Sequence, residues 1–463
     1  MSCVNGKKCL VDTDCSSLVC YLGSCLPTPT LSGLNPWHGP INETTPVTVS
    51  GTNFFGPAIS ILFGSSPATN VNLQSPTAIT AQVPAQTTPG TVDAQVTFPG
   101  NHRYLLKWAF RYHYKQIAFQ SPTDLTVGNN VRTVALQDLD TDSKRDLLVL
   151  NQGGSELLTL KGVGNGTFQA ATSFSAGTAP NYALVKDLNK DGKPDVAVTN
   201  GNTVSILINK GTASFEAPVP VAVGNNPEYL IAGDWNGDGN VDLALNYYGN
   251  TTITVLPGKG DGTFKTPVDS AVGVAGGRQF AVGDLDADGK QDLVLGSDTA
   301  DALVVFGDGN HKFGFPFKLP VASAACAGVV VGNFTGDANL DIACVPSGGS
   351  GTISTLVRDT TKTREWKLLV TSPGPNTSDN RYAEMLDLDK DTRADLVFLS
   401  RVSSPGIIHV YRNLGSGSFG SPLAVNCLNN PWSFALADTN NDNKEDLIVA
   451  AGSKVQVLLS STQ

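Results

Sequence analysis

The sequence predicts an all-β chain with a short cysteine-rich segment, a small β-sandwich and a seven-bladed β-propeller. Three observations carry this. Oxygen-bearing residues, mostly acidic, recur at positions 1, 3, 5 and 9 of a tight loop, with first positions at 138, 187, 234, 284, 333, 387 and 438. Short apolar runs between these loops are punctuated by Gly, Pro, Asn and Ser, which reads as strands and turns. Five of the eight cysteines crowd into the first 25 residues.

Residues 1–26 hold Cys3, Cys9, Cys15, Cys20 and Cys25. So many cysteines in a segment too small for a core predict a disulfide knot formed in an oxidising compartment. A zinc knuckle fits less well, because the CxxC pairs and histidine ligands of such sites are missing. Five is odd, so one cysteine pairs elsewhere: with another chain, with a residue beyond this sequence, or with a later cysteine such as Cys427. Cys326 and Cys344 flank the fifth loop on neighbouring strands and suit either a disulfide or two buried thiols.

Residues 27–115 follow. Val47–Gly51, Ile59–Gly64, Ile79–Pro84 and Val92–Val96 alternate with period two between turn residues. Short strands at this spacing predict a small β-sandwich.

From residue 116 to 463 the loops set the organisation. The candidate ligands are Asp138, Asp140, Asp142 and Asp146; Asp187, Asn189, Asp191 and Asp195; Asp234, Asn236, Asp238 and Asp242; Asp284, Asp286, Asp288 and Asp292; Asn333, Thr335, Asp337 and Asp341; Asp387, Asp389, Asp391 and Asp395; and Asp438, Asn440, Asp442 and Asp446. Alternate residues of a tight turn bring their oxygens inward, and a hard cation wants six to eight of them, so calcium is the expected ion, up to seven in all. Asn333 and Thr335 replace two carboxylates, which makes the fifth site the weakest or leaves it empty. Position 6 is Ser143, Ala338, Thr392 or Asn443 in four copies, where glycine would relax the turn. Such ions are expected to act as staples within each repeat.

The loops are separated by 49, 47, 50, 49, 54 and 51 residues, a period that signals stacked supersecondary units. In one repeat, Leu230–Gly233 runs into the loop, Leu243–Asn246 leaves it, Ile253–Leu256 follows, and a glycine-rich turn leads to a fourth strand. Four strands per repeat make one propeller blade. Phe168, Phe215, Phe264, Phe313 and Phe419 recur after that turn and are expected between blades. The last repeat ends on its third strand, Val455–Leu459, while residues 119–130 parallel the fourth strands of other repeats. The amino-terminal strand is therefore expected to complete the last blade and leave no free sheet edge.

The net charge of −10 is concentrated in the loops. It reports metal sites and argues against nucleic-acid binding, which calls for a basic patch. No apolar run reaches the ~18 residues of a membrane helix, so no membrane insertion is expected. No signal peptide is visible at Met1, and the chain is nevertheless expected to be secreted or displayed at the cell surface, its signal removed.

Two segments resemble known families. "LNPWHGP" (34–40), "TPVTVSGTNF" (45–54), "ILFGSSPA" (61–68), "SPTAITAQVP" (75–84) and "PGTVDAQVTFPG" (89–100) resemble the IPT/TIG domain, an immunoglobulin-like β-sandwich used as a spacer or protein-contact module. One departure is Glu43-Thr44-Thr45 where that family has Gly-Gly-Thr. The DxDxDGxxD loops, the strands after them and "GNGTF" (164–168) resemble FG-GAP/VCBS repeats, as in the integrin α-subunit propeller and several propeller lectins. That resemblance implies calcium in the loops and a binding face at the opposite end, built by the residues leading into each first strand and by the loops joining second to third strands. Six and five residues before each loop stand Arg132/Thr133, Asn181/Tyr182, Glu228/Tyr229, Arg278/Gln279, Ala327/Gly328, Arg381/Tyr382 and Trp432/Ser433. Tyr247 and Tyr248 fall in a second-to-third-strand loop. From these, Arg132, Tyr182, Tyr229, Tyr247, Tyr248, Arg278, Arg381, Tyr382 and Trp432 are the candidate ligand-binding residues, since arginine and aromatics dominate binding hot spots.

His38, His102, His113, His311 and His409 are scattered, and no nucleophile elbow or phosphate loop is present. The chain is therefore expected to be no enzyme, and to recognise a glycan or an extracellular protein. A secreted enzyme acting on polysaccharide and a structural surface component are the alternatives.

Overall fold

The computed structural model describes residues 18–462 apart from 23, 248, 273–276, 298–301, 323–324, 338, 349–350, 360–363, 376, 378 and 402–403. The chain divides into two compact units: Met1–Ala118 with Asp389–Thr392 and Thr462–Gln463, and Phe119–Leu388 with Arg393–Ser461. Strands dominate both, and among the described residues no helix is long and apolar enough to cross a membrane.

In the first unit, alternation writes the sandwich. Thr45–Thr52 buries Thr45, Val47, Val49 and Gly51 and turns the residues between them outward. It lies in a four-stranded sheet ordered Thr30–Asn35, Thr45–Thr52, Ala78–Val83, Thr69–Ser75. The facing sheet is ordered His38–Pro40, His102–His113, Gly90–Phe98, Ser60–Phe63, Ser66–Pro67. Val49, Phe63, Ile79, Val96, Phe98 and Phe110 fill the space between, all 0–1% exposed. Ahead of the sandwich, Leu18–Tyr21 and Ser24–Pro27 pair and set Cys20 opposite Cys25 in register. Cys3, Cys9 and Cys15, and with them the expected disulfide knot, lie outside the described residues. Cys427 is a buried free thiol, its pKa pushed up to about 12 by burial, and so is not the partner of the odd cysteine.

In the second unit, each loop joins the first two strands of an antiparallel meander. Val131–Gln137, Asp146–Asn151, Glu156–Leu160 and Thr172–Ser175 form one four-stranded sheet; Tyr182–Lys186 to Val219–Ala222, and Pro227–Gly233 to Val268–Ala271, form the next two. The meanders from Gly277–Gly283 to Phe317–Lys318 and from Cys326–Gly332 to Trp366–Pro373 join into one eight-stranded sheet through a single pair, Ser297 with Cys326. Asn380–Leu386, Asp395–Ser400, Gly406–Tyr411 and Leu423–Cys427 make another. In the last sheet, Thr123–Thr126 pairs antiparallel with Lys454–Leu458, so the start of the unit supplies the fourth strand to its end. A disulfide joins Cys326 to Cys344 across the first two strands of their meander.

The second strands are buried from end to end, as sheets covered on both faces require. The recurring phenylalanines close the turn into the fourth strand, for example Phe215 bridged to Asn209, and pack against the preceding meander beside Leu139 and Leu148. The same turns tie neighbours together. Gly166 N donates to Thr439 O at 3.0 Å, Ala213 N to Leu139 O at 3.2 Å, Gly262 N to Leu188 O at 3.2 Å and Gly417 N to Phe334 O at 3.1 Å. Each carbonyl belongs to position 2 of a neighbouring loop, and the Gly166 bond links the first meander to the last. The first strands gather around an axial cavity of about 270 Å³ lined by segments from Thr133 to Ser433. Side-chain bonds join them there: Thr133 Oγ1 accepts from Ala183 N at 3.3 Å, and Ser433 Oγ from Val134 N at 3.0 Å.

Candidate functional site

Each first strand ends in an acidic loop, and the loop backbone has two left-handed residues. Position 6 is left-handed at Ser143 (φ 66), Gly192 (φ 81), Gly289 (φ 83), Thr392 (φ 74) and Asn443 (φ 62). Position 4 is left-handed as well, at Thr141, Lys190, Ala287, Lys390 and Asn441, which the sequence reading missed. The strain is offset locally: Asp138 accepts from Asp142 N at 3.1 Å and from Ser143 N at 2.9 Å.

Three loops bring carboxylate oxygens of positions 1, 3 and 9 within 4.8 Å of one another: Asp138, Asp140 and Asp146; Asp284, Asp286 and Asp292; Asp387, Asp389 and Asp395. Oxygens about 2.3–2.6 Å from one calcium lie at most about 5 Å apart, so the spacing fits that ion. In the first loop Asp140 Oδ1 is buried with no hydrogen-bond partner, while its Oδ2 is held by Lys161 Nζ at 2.8 Å. Position 5 turns away instead. Asp142, Asp191 and Asp288 pair with the lysine at position 7, at 2.8, 3.2 and 3.1 Å. At the fifth loop Thr335 Oγ1 donates to Asp341 Oδ2 at 3.0 Å, so the hydroxyl is spent within the loop. At the fourth, Arg364 Nε holds Asp286 Oδ2 at 2.6 Å with its guanidinium over Phe306.

Position 9 does more than face a cation. Asp195 is fully buried; its Oδ2 accepts from Leu188 N at 3.0 Å and its Oδ1 from Asn209 N at 2.8 Å. Asp146, Asp242, Asp292, Asp395 and Asp446 repeat the arrangement, joining the loop to the turn that follows the third strand. Burial raises the carboxyls of Asp146, Asp195, Asp242, Asp292 and Asp446, Asp292 to about 7, and a nearby cation would lower them again.

The other end of the first strands holds the second feature. Arg132, Asn181, Glu228, Arg381, Tyr382 and Trp432 line one cavity of about 120 Å³. Five of the six stand six residues before a loop. A strand of five to seven residues, rising ~3.3 Å each, puts this mouth roughly 16–23 Å from the acidic loops. Bulges aim the side chains. Arg132 falls between the pairs Val131–Asn151 and Thr133–Leu150, and Tyr382, at φ 43, between Arg381–Leu399 and Ala383–Phe398. The Trp432 ring lies between two guanidiniums, Arg132 at 3.5 Å and Arg401 at 3.6 Å from its centroid; two such close approaches require opposite faces. Arg381 Nε and Arg401 share Asp379, and Arg132 Nε donates to Gln152 Oε1 at 2.9 Å. An adjoining cavity of about 330 Å³ shares Asn181 and Glu228 and adds Gln152, Asn200 and Asn226.

Of the expected ligand-binding residues, Arg132, Arg381, Tyr382 and Trp432 meet at the mouth. Tyr182 and Tyr229 do not: they stack beneath it with Tyr382, at 4.5 and 6.3 Å between centroids, and line the axial cavity. Tyr247 is a correction. It is the last residue of a buried second strand, 3% exposed, with its hydroxyl donating to Thr254 Oγ1 at 2.7 Å, because the strand runs one residue further than its sequence suggests. Tyr248 and the Arg278 side chain lie outside the described residues. Gln152 and Arg401 were missed. Both stand six residues after a ninth-position aspartate, so counting forward as well as back finds them.

Glu384 also lines the axial cavity, where its side chain stays exposed to the cavity's solvent, and the enclosing strands raise its carboxyl to about 7. The unfolded chain ionises near the ordinary value of 4.5, so stability falls as pH rises from there and levels off above about 7. Glu384→Gln is expected to melt with the wild type at pH 4.5 and about 1 °C above it at pH 8, water in the cavity screening most of the charge's cost. Equal melting at both pH values would contradict this placement.

Comparisons with known proteins bear on both ends. A family model described as the FG-GAP-like repeat matches residues 138–198, 187–245, 234–295, 284–344 and 387–449, and the IPT/TIG domain model matches 29–112. No curated protein sequence matches the chain. Among solved structures, an Agrocybe aegerita lectin described as recognising non-reducing terminal N-acetylglucosamine aligns over 70% of this chain and 86% of its own, at 18% identity and a TM-score of 0.50. An auxiliary nutrient binding protein from Bacteroides thetaiotaomicron aligns over 93% and 97%, at 10% identity and a TM-score of 0.42.

Proposed function

The chain belongs to the FG-GAP-like repeat family, with an IPT/TIG domain ahead of its repeats, and from that premise we propose that it is an extracellular, calcium-stabilised recognition protein whose propeller binds a glycan on the face opposite the acidic loops. The observation that carries this is the convergence of residues from five repeats, among them Arg132, Arg381 and Trp432, on one cavity. Six scattered sequence positions meet there only because the repeats are arranged in a ring. A half-exposed tryptophan beside amide side chains suits a sugar, whose apolar face stacks while its hydroxyls bond.

Binding is favoured over bond cleavage. Hydrolysis of a glycosidic bond ordinarily uses two carboxyl groups set on either side of it. Glu228 is the one carboxylate among the described residues lining the mouth. Calcium holds the loops in this reading, far from the ligand, with Asp138, Asp140 and Asp146 among its ligands.

The test is binding of the whole chain to a glycan array, with N-acetylglucosamine-terminated oligosaccharides among the neutral probes. Saturable binding to a glycan is expected, weakened about tenfold or more by Trp432→Ala, with no release of reducing ends. Binding that survives Trp432→Ala undiminished would place the ligand elsewhere.

A further inference from the structure

The mouth of the axial cavity is cationic in a chain that is acidic overall. Arg132, Arg381 and Arg401 gather there against Glu228 and Asp379, while the chain as a whole carries −10. Arg132 commits Nε to Gln152, and Arg381 commits Nε to Asp379. Among the described residues, neither has a bonded partner for its terminal amino groups. Two planar donor forks are therefore presented to one small cavity, held from behind by Gln152 and Asp379. Like charges brought together in a partly desolvated place repel unless an anion lies between them. Burial first, and the Arg381 charge with it, draw the Arg132 guanidinium down from its ordinary value.

We propose that this cavity is an anion subsite, and that the ligand is an acidic glycan whose carboxylate or sulfate group is held between Arg132 and Arg381 beside the Trp432 ring. The proposal rests on the recognition face described above and specifies its ligand. Two features favour a glycan over an isolated small anion. The adjoining cavity continues the site through Asn181 and Glu228, so the ligand extends. Its wall is rich in amide side chains, Gln152, Asn181, Asn200 and Asn226, which suit the hydroxyls of a sugar. Guanidinium forks match the two oxygens of a carboxylate or sulfate, which a lysine would not. Because the overall charge repels polyanions, attraction to one is local to this cavity.

The test measures binding of the whole chain, in calcium, to four probes: oligogalacturonides, dextran sulfate, neutral dextran and poly-aspartate. Saturable binding to oligogalacturonides or to dextran sulfate is expected, and which of the two binds identifies the group as carboxylate or sulfate. Arg132→Gln and Arg381→Gln should each raise Kd at least tenfold. Arg103→Gln, on the exposed surface of the sandwich, should leave it unchanged. Glu228→Gln removes the carboxylate at the mouth and should tighten binding severalfold, a gain that a misfolded variant could not mimic. Melting curves accompany every variant.

Binding of neutral dextran as tight as of the anionic glycans, or glycan binding that depends on Trp432 but on neither arginine, would overturn the anion subsite and leave the recognition face standing. Glycan binding indifferent to Trp432, Arg132 and Arg381 alike would remove the face itself. Equal binding of poly-aspartate would overturn the assignment to a glycan, and absence of binding to both anionic glycans would overturn the proposal.

Discussion

Asp195→Ala is expected to destabilise the propeller by about 3–5 kcal/mol, enough to unfold a marginal domain. The side chain is wholly buried and its two oxygens accept the amides of Leu188 and Asn209. Truncation leaves two buried N–H groups without acceptors, each costing roughly 1–3 kcal/mol, and a small void besides. The loss is not confined to one loop. Leu188 O accepts from Gly262 N of the next meander, so a shifted loop loosens the joint between repeats. Asp195→Asn keeps one acceptor and should cost clearly less. Urea unfolding read by tryptophan fluorescence measures the difference, and a change under 1 kcal/mol for Asp195→Ala would show that the buried bonds are not what pins the loop.

Removal of calcium should cost still more, because it acts on several loops at once. A ligand at one hundred times its Kd stabilises by about 2.7 kcal/mol, so three occupied acidic clusters would contribute on the order of 8 kcal/mol. EGTA is expected to lower the propeller's melting temperature by roughly 10 °C or more, with magnesium failing to restore it. The sandwich serves as an internal control, because its transition should not move. Asp138→Ala should reproduce part of the loss and make the protein less responsive to added calcium. A melting curve unaffected by EGTA would mean that the loops hold themselves together through their lysines and backbone amides alone. The structure also alters the expected ranking of sites. The fifth loop remains poor, with Thr335 turned onto Asp341. The fourth loop has four aspartates, yet Arg364 already occupies Asp286, so calcium there must compete with a guanidinium.

Much of the fold was legible because its signals are local. Strand alternation in Thr45–Thr52 depends only on which neighbours face inward. A loop of nine residues carries its own turn chemistry. Even closure could be read, since residues 119–130 resemble fourth strands and the last repeat lacks one; Thr123–Thr126 indeed pairs with Lys454–Leu458. The mouth was only half legible. Counting back from the loops names the right positions in several repeats, but side-chain direction there depends on bulges. An added residue re-aims Arg132 and Tyr382 into the mouth, while Tyr182, on a strand paired without a bulge, faces the axial cavity instead.

The sequence by itself determined the repeat, its period, the strands and the loops that could take a cation, because each follows from residue types at fixed short spacings. Tertiary structure alone decided what meets what. It turned the ninth aspartate from a simple ligand into a buried staple between the loop and the turn after the third strand. It buried Tyr247, spent Arg364 on a neighbouring repeat's loop, and gathered Arg132, Arg381 and Arg401 around Trp432 from stretches hundreds of residues apart. The physical reason is that a ring brings equivalent ends of every repeat to one axis. Which side chains converge there depends on register, bulges and the loops of adjacent repeats, none of which is written within a single repeat.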